Sequence, residues 1–228
     1  YTPHQQDVQP NKQKVLKMKV NSQIKSLRKQ AGYTLIELAI SIAIISVLVV
    51  GALFGVQKIL DNNHVNATSQ QVSLANTNIT KFSTMLADKT FITDTNAAAN
   101  LGIWPDNILT KDATGKVTKV TNPFGGNYFT ASNSVAVGAV APASGYYIYI
   151  TNVPDKVCAA VAGMFGASTW QIRIADEAAA IVAPTAAVSI TAGTEVKAPG
   201  ADRISFANLN TACGTAAARK TVYLFYPL

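Results

Sequence analysis

Residues with reactive side chains are scarce in this 228-residue chain. It has two histidines, His4 and His64, and two cysteines, Cys158 and Cys213. A structural zinc site needs more Cys and His ligands than the sequence offers. A Cys nucleophile would need a histidine base, and His64 falls low on a predicted long helix, close to an apolar run. The sequence also lacks a G-x-S-x-G elbow, a P-loop and a G-x-G-x-x-G motif. We therefore expect no enzymatic activity, no cofactor and no metal site.

An excess of positive charge is missing from most of the chain. The formal net charge is +7, but residues 1–32 hold seven basic residues and one acidic residue, a net of +6. The remaining residues are twelve basic and eleven acidic, a net of +1. They show no basic stripe with interleaved aromatic side chains, which is the usual pattern of a nucleic-acid-binding surface. We therefore expect no nucleic acid partner.

Charge of either sign is absent from the nineteen residues Leu38–Val56. As a helix this run would be about 28 Å long at about 1.5 Å per residue, close to the hydrocarbon thickness of about 30 Å. The apolar core of a cleaved secretory signal is shorter, about 7–15 residues. Because basic residues precede the run, the positive-inside rule places 1–32 in the cytoplasm. Residues after about 57 are then expected on the far side of the membrane.

Glu37 stands alone at the head of this apolar run. It could sit at the membrane interface in the first turn of the helix, where the helix dipole favours an anion. Alternatively, it could pair with a specific cation, since a lone carboxylate inside a membrane is costly.

The residues around Glu37 decide between these alternatives. The stretch 29–53 reads KQAGYTLIELAISIAIISVLVVGAL and resembles the cleavage site and first helix of a type IV prepilin. The resemblance implies that a membrane peptidase cuts after Gly32 and methylates the new amino terminus, that of Tyr33. It also implies that Glu37 meets the amino terminus of a neighbouring subunit during assembly. Residues 1–32 would be a basic cytoplasmic leader.

The leader and the first mature residue favour one branch of the family. A leader of at least 32 residues and a first residue other than Phe are typical of type IVb pilins, which include toxin-coregulated, bundle-forming and conjugative thin-pilus subunits. Tyr33 departs from the Met, Leu or Val that type IVb pilins more often have at this position.

The helix is predicted to continue beyond the membrane as an amphipathic segment, 57–90. Between Val56 and Leu86, apolar residues recur at spacings of three, four or seven, which indicates one helical stripe. The opposite face is predicted to be polar and nearly uncharged, which suits packing against a domain and neighbouring chains better than contact with bulk water. It comprises Asn62, Asn63, Asn66, Thr68, Gln70, Gln71, Asn76 and Asn78. Gly51 and Gly55 either allow close helix packing or weaken the helix so that it loosens in a filament.

Residues 91–228 are predicted to form an α+β head. We expect a loop-rich connector at 91–120 with a helical turn at Ala97–Leu101, followed by an Asn-Pro and Gly-Gly turn and a strand within 122–131. Further predicted strands are Ser134–Val140, Tyr146–Thr151, Trp170–Ile174 and Thr221–Tyr226. A short helix is predicted at 154–166, and a surface loop with one short strand at Ala178–Ala201. Asp176 and Glu177 are expected on a solvated loop.

The two cysteines are predicted to form a disulfide, Cys158–Cys213, because an even count is typical of exported domains. The bond would close a loop of about 56 residues and contribute roughly 4 kcal/mol in the chain-entropy model. Two free buried thiols are the alternative. In pilins the equivalent bridge bounds the C-terminal region.

The fold class implied by the resemblance is α+β: a long N-terminal helix, half in the membrane, packed on a C-terminal antiparallel sheet, as in pilins. The implied function is a structural subunit that polymerises through residues 33–56 into a type IVb pilus, for adhesion, aggregation or conjugative contact. The implied partners are identical subunits, the prepilin peptidase, the assembly platform and the inner membrane of a Gram-negative bacterium, with the pilus outside the cell. A pseudopilin of a type II secretion system and a membrane-anchored binding module are the alternatives.

Overall fold

The computed structural model describes residues 34–87, 89–177, 181–214 and 219–228. The chain divides into two units, Tyr1–Gly55 and Val56–Leu228, and each is described by itself. The described part of the first unit is the beginning of a single long helix. The second unit contains the remainder of that helix and the α+β head.

Helix α1 runs from Leu35 to Met85, 51 residues in all. It contains no proline, and its first half consists almost entirely of Leu, Ile, Val and Ala, which permit an uninterrupted helix. In the second unit its buried residues are spaced three or four apart, and so form one face. They are Val65, Thr68, Val72, Ala75 and Ile79. The predicted apolar stripe is thus buried from Val65 to Ile79, whereas Ile59 and Leu60 before it and Leu86 after it are exposed.

A five-stranded antiparallel sheet forms the centre of the head, with strand order β3-β4-β7-β5-β6. Its strands are β3 (Tyr128–Ser132), β4 (Gly145–Val153), β5 (Gln171–Asp176), β6 (Thr194–Lys197) and β7 (Lys220–Pro227). One face contributes Tyr128, Ile148 and Leu224 to a core that also includes the buried face of α1. The other face carries an aromatic cluster of its own, which includes Phe129, Tyr149 and Phe225.

Three short helices and a hairpin complete the head. The helices are α2 (Thr95–Asn100), α3 (Asp155–Phe165) and α4 (Phe206–Gly214), and the hairpin strands are β1 (Leu109–Lys111) and β2 (Val117–Val120). Two 3₁₀ turns, Thr90–Ile92 and Asp106–Ile108, lie in the connector. The prediction of an α+β head with a long N-terminal helix is confirmed.

Both edge strands of the sheet are covered. On β3, the Thr130 N–H donates to Thr95 Oγ1 at 2.8 Å. On β6, Asn208 Nδ2 donates to the Glu195 carbonyl at 2.7 Å, and the Ser205 N–H donates to the Val196 carbonyl at 2.8 Å. Because unpaired strand edges invite pairing with other chains, these contacts protect the head from edge-to-edge aggregation.

The predicted strand Ser134–Val140 is wrong. Within the described residues this segment makes only isolated bridges, Asn133 with Val188 and Val137 with Val140. Gly138 has a φ of +60°, which reverses the chain in the middle of the apolar run. The buried Asn133 side chain then binds three backbone groups, with Nδ2 donating to the carbonyls of Val135 and Ala141 and Oδ1 accepting from Gly145 N–H. The Asn133 side chain thus makes hydrogen bonds to backbone groups that a neighbouring strand would otherwise make.

Two elements of the head were not predicted. The hairpin β1–β2 lies in the segment expected to be only a connector, and Asp112 closes its turn by accepting N–H bonds from Thr114 and Lys116. Helix α4 begins after Ser205, whose Oγ accepts the Asn208 N–H at 3.3 Å. Both segments have a polar residue that favours the observed start or turn, but their few apolar residues show no clear period.

Candidate assembly and head sites

The first turn of α1 is organised by Thr34 and Glu37. The Glu37 N–H donates to Thr34 Oγ1 at 3.3 Å and to the Thr34 carbonyl at 3.0 Å. Thr34-x-x-Glu37 has the spacing of a capping box, in which a threonine caps the helix and a glutamate follows at its third position. This role of Thr34 was missed in the sequence, although the spacing itself was a visible signal.

Gly32 and Tyr33, predicted as the cleavage junction and the methylated residue, lie outside the described residues. Their predicted roles therefore stay predictions. Glu37, the predicted assembly residue, is exposed in the first turn of α1. Its carboxylate is thus available to a partner outside the chain.

The apolar half of α1 is exposed along its whole length. Every residue from Thr34 to Leu60 is exposed, including Leu35 at 88% and Phe54 at 70%. Its two serine side chains bond within the helix, since Ser41 Oγ donates to the Glu37 carbonyl at 2.8 Å and Ser46 Oγ to the Ile42 carbonyl at 2.7 Å. Among the described residues, this is the one helix long and apolar enough to cross a membrane. Such a surface requires lipid or other chains to cover it.

Gly51 and Gly55 stand clear of every other described part of the chain except their own helix. A Cβ atom built at either position would meet nothing within 4 Å. The helix is continuous through both residues. The chain's own packing therefore gives no reason for glycine at these two positions.

Polar residues of α1 bind the head beside its buried face. Tyr128 Oη donates to Gln71 Oε1 at 2.8 Å, Tyr146 Oη donates to Asn76 Oδ1, and Asn78 Nδ2 donates to the Ile103 carbonyl at 3.0 Å. Burial raises the pKa of both tyrosines well above the usual value.

Gln71, Asn76 and Asn78 lie beside the buried stripe and not on the opposite face, and their bonds to the head agree with the expectation that the polar residues pack against a domain. Each is adjacent in sequence to a residue of the buried stripe, so its side chain reaches the rim of the head. Thr68 was also predicted on the polar face, but it is buried and its hydroxyl donates to the His64 carbonyl at 2.8 Å.

The turn Asn122–Gly126 is locked onto the irregular end of β4. Asn122 is buried; its Oδ1 accepts N–H bonds from Phe124 and Gly126, and its Nδ2 donates to the Thr151 carbonyl at 2.7 Å. Asn152 has a φ of +63° at the β-bulge, and its Nδ2 donates to the Phe124 carbonyl at 2.8 Å. The predicted Asn-Pro and Gly-Gly turn is confirmed, and its asparagine is the residue that fixes it.

Asp176 and Glu177 do not lie on a solvated loop, contrary to the prediction. Asp176 ends β5 and forms an ion pair with the buried ammonium of Lys220 on β7. Glu177 Oε2 accepts the Asn152 N–H at 2.5 Å and the Thr221 hydroxyl at 2.9 Å. The two carboxylates therefore link β5 to β7 and β4, and their role is structural.

The predicted disulfide Cys158–Cys213 is present and joins α3 to α4, with 5.7 Å between the two Cα atoms. Cys158 is fully buried. His64, the only histidine among the described residues, stands edge-on to the Phe124 ring, with 6.0 Å between the centroids. Within the described part of the chain, no group of three or more His, Cys, Asp or Glu side chains could hold a metal ion.

Comparisons with known proteins point to one family. A family model described as "Prokaryotic N-terminal methylation motif" matches residues 27–53. The chain is 31% identical over 150 residues to the "Major structural subunit of bundle-forming pilus" of Escherichia coli O127:H6 (strain E2348/69 / EPEC), covering 62% of this chain and 68% of the relative. The match to the subunit of the same name from Escherichia coli O111:H- has the same identity and coverage.

Two solved structures are also similar. TcpA, a type IV pilin from Vibrio cholerae El Tor biotype, aligns with a TM-score of 0.49 at 17% identity, covering 72% of this chain and 99% of that one. A type IVb pilin from Salmonella typhi aligns with a TM-score of 0.47 at 15% identity, covering 70% and 97%. On its sequence identity to the bundle-forming pilus subunits and its methylation motif, this chain belongs to the type IV pilin family, in the type IVb class.

Proposed function

We propose that this chain is the structural subunit of a type IVb pilus and that it polymerises through the apolar half of α1. The observation that carries the proposal is the exposure of every residue from Thr34 to Leu60, with a single carboxylate, Glu37, at one end. The relatives' name, major structural subunit of a bundle-forming pilus, supports a filament of identical subunits outside the cell. The family is structural and not enzymatic.

The subunit begins as a membrane-anchored precursor in this proposal. Residues 1–32 are the cytoplasmic leader, 33–56 cross the inner membrane, 57–90 continue the helix, and 91–228 form the head. The prepilin peptidase cuts between Gly32 and Tyr33 and methylates the Tyr33 amino group. The match of residues 27–53 to the methylation motif supports this processing step.

Glu37 sets the register of assembly. In an apolar environment a carboxylate without a partner is penalised, and the attraction between two opposite charges is weakly screened. The amino group of Tyr33, created by cleavage in a neighbouring subunit, is the cation that Glu37 lacks. The inner-membrane assembly platform then transfers the apolar segment from lipid to a bundle of identical segments.

Gly51 and Gly55 support the same role. Among the described residues, nothing beyond the helix itself would contact a Cβ atom at either position, and small residues let helix backbones approach closely in an apolar environment. The proposal assigns both glycines to contacts between subunits.

Substitution of Glu37 tests the proposal. In cells that express the full machinery, Glu37→Ala is expected to abolish filaments seen by electron microscopy while the precursor stays in the membrane fraction. Thr34→Ala is the matched control, because it removes the helix cap and keeps the carboxylate; it is expected to leave filaments. Normal filament number with Glu37→Ala would contradict the register role.

A further inference from the structure

The second unit has a cleft where the head first meets α1, which we name the basal cleft. It has a volume of about 430 Å³. The cleft is lined by Asp61 and His64 of α1, Phe124 of the turn, Asp155 and Lys156 of α3, and Arg219 before β7. Asp61 is the first half-buried residue of α1 in this unit, since Val56–Leu60 are exposed. The cleft is therefore the end of the head nearest Val56 along the helix.

Basic side chains surround the basal cleft. Lys156 and Arg219 line it. Lys58 precedes Asp61 by three residues and the buried Val65 by seven, so it lies on the same face of α1, one turn closer to Val56. All three basic residues are exposed.

The acidic residues of the basal cleft are partly engaged within the head. Asp61 pairs with Lys156 at 2.8 Å and its side chain is 26% exposed. Asp155 accepts the Lys156 N–H at 2.7 Å. Among the described residues, neither Lys58 nor Arg219 forms an ion pair. The cations left for an outside anion are thus Lys58 and Arg219.

The depth of the cleft matches that of lipid headgroups. The apolar run ends at Val56, and Lys58 and Asp61 follow at about 3 and 8 Å along the helix axis. The headgroup layer extends about 5–8 Å beyond the hydrocarbon on each side. Charged side chains at this depth therefore lie within about 8 Å of the headgroup phosphates, which is the electrostatic screening length at physiological salt.

We propose that the basal cleft, together with Lys58, binds the phosphate groups of acidic phospholipids while the subunit is anchored in the membrane. This inference rests on the proposed function, since it requires that the apolar half of α1 spans a bilayer. Bound headgroups hold the head against the membrane surface, and they are released when the subunit enters a filament.

The test uses the full chain in vesicles of phosphatidylcholine alone and of phosphatidylcholine mixed with phosphatidylglycerol. Hydrogen exchange by mass spectrometry reports the backbone amides of 35–55, 56–64 and 154–158. In the acidic vesicles, exchange of 56–64 and 154–158 is expected to be at least about threefold slower, and about 0.5 M salt should remove the difference. Each basic residue near an acidic surface should account for about a fivefold bias towards the bound state.

Two double variants separate the site from general charge. Lys58→Gln with Arg219→Gln is expected to abolish the difference between the vesicles and leaves the Lys156–Asp61 pair in place. Lys116→Gln with Lys119→Gln, on the exposed hairpin β1–β2, is the matched control, because it removes the same charge and should keep the difference.

Several results would overturn the proposal. Equal hydrogen exchange in the two kinds of vesicle would show that acidic phospholipid is not the ligand. The same protection in phosphatidylcholine vesicles with added inorganic phosphate would indicate a site for small anions. Protection that grows with the protein-to-lipid ratio would indicate a second copy. If 35–55 is protected and the cleft is not, the lipid inference alone fails; if 35–55 is unprotected, the membrane stage of the proposed function fails as well.

Discussion

At the scale of single residues, the head depends on polar side chains buried in defined bonds. Asn122 makes hydrogen bonds to four backbone groups through one side chain. Lys197 is buried, and its ammonium donates to the carbonyls of Gly166 and Thr169 beyond the end of α3. A buried polar group without partners is costly, so these bonds select one arrangement of the turns that the sheet alone does not determine.

The buried tyrosines predict how the head responds to alkali. Burial raises the pKa of Tyr128, Tyr146, Tyr149 and Tyr226 well above 10. In the unfolded chain these tyrosines ionise near pH 10, whereas in the folded head they stay protonated. The unfolded state therefore loses protons first, and the free energy of unfolding should fall as pH rises above about 10.

Circular dichroism and the ultraviolet absorbance of phenolate, followed together against pH, measure this effect. Both signals should change in one transition, because the tyrosines ionise as the head unfolds. The variant Tyr226→Phe removes one ionisation, so the free energy of unfolding should decline less steeply above pH 10 than in the parent chain. Phenolate formation by the buried tyrosines in a head that keeps its native circular dichroism would refute the argument.

At the scale of elements, the disulfide and α4 protect one edge of the sheet. Cys213 on α4 is bonded to Cys158 on α3, and the same helix supplies Asn208, which donates to the β6 carbonyl of Glu195. The bond thus holds in place the element that occupies the β6 edge.

Removal of the disulfide is expected to destabilise the head and to expose that edge. Cys158→Ala with Cys213→Ala should lower the free energy of unfolding by about 4 kcal/mol, measured by urea denaturation. Light scattering under native conditions should rise, because an uncovered strand edge pairs with other chains. Asn63→Ala, on an exposed part of α1, is the control and should change neither quantity. A destabilised variant without increased scattering would show that α4 is not what protects the edge.

At the scale of the whole molecule, the chain carries one helix with two kinds of environment. From Thr34 to Leu60 it is exposed throughout, and from Val65 to Ile79 one face is buried against the head. In the exposed part Ser41 and Ser46 bond within the helix, and the charged side chains left for outside partners are Glu37 at one end and Lys58 at the other. Anchoring in a membrane and packing in a filament use the same surface in this proposal, and the Glu37 partner distinguishes the two states.

Processing of the amino terminus is expected to decide whether the whole chain can assemble into a filament. Mass spectrometry of subunits from purified filaments should give a chain that begins at Tyr33 and carries one methyl group on its amino nitrogen. Gly32→Ala is expected to leave the leader attached and to prevent filament formation, since no amino terminus would be available to Glu37. Filaments composed of subunits with an intact leader would contradict both the cleavage position and the pairing.

Much of the architecture could be predicted from the sequence because it follows from local periodicity. A run of nineteen uncharged residues and a stripe at spacings of three and four require a long helix, whatever the head does. Strands β4, β5 and β7 are rich in β-branched or aromatic residues, and the Asn122–Gly126 turn contains Pro and Gly-Gly, so these elements were also visible. The motif around Gly32, Tyr33 and Glu37 indicated the family without any structure.

Other features depend on contacts between residues that are distant in sequence, so they could not be predicted before the fold was known. The segment 134–140 has the composition of a strand, but Gly138 turns it and Asn133 donates to the carbonyls of Val135 and Ala141, so the segment forms no strand. Gln71 and Asn76 were expected to pack against a domain, but only the folded head shows that their partners are the hydroxyls of Tyr128 and Tyr146. The basal cleft brings together Asp61, Lys156 and Arg219, and no pattern in the sequence predicts that they lie close to one another. The long helix, its lone carboxylate and the pilin family were predictable from the chain, because each depends on residues close together in sequence. Which polar groups pair across the head was not predictable, because those partners meet only after folding.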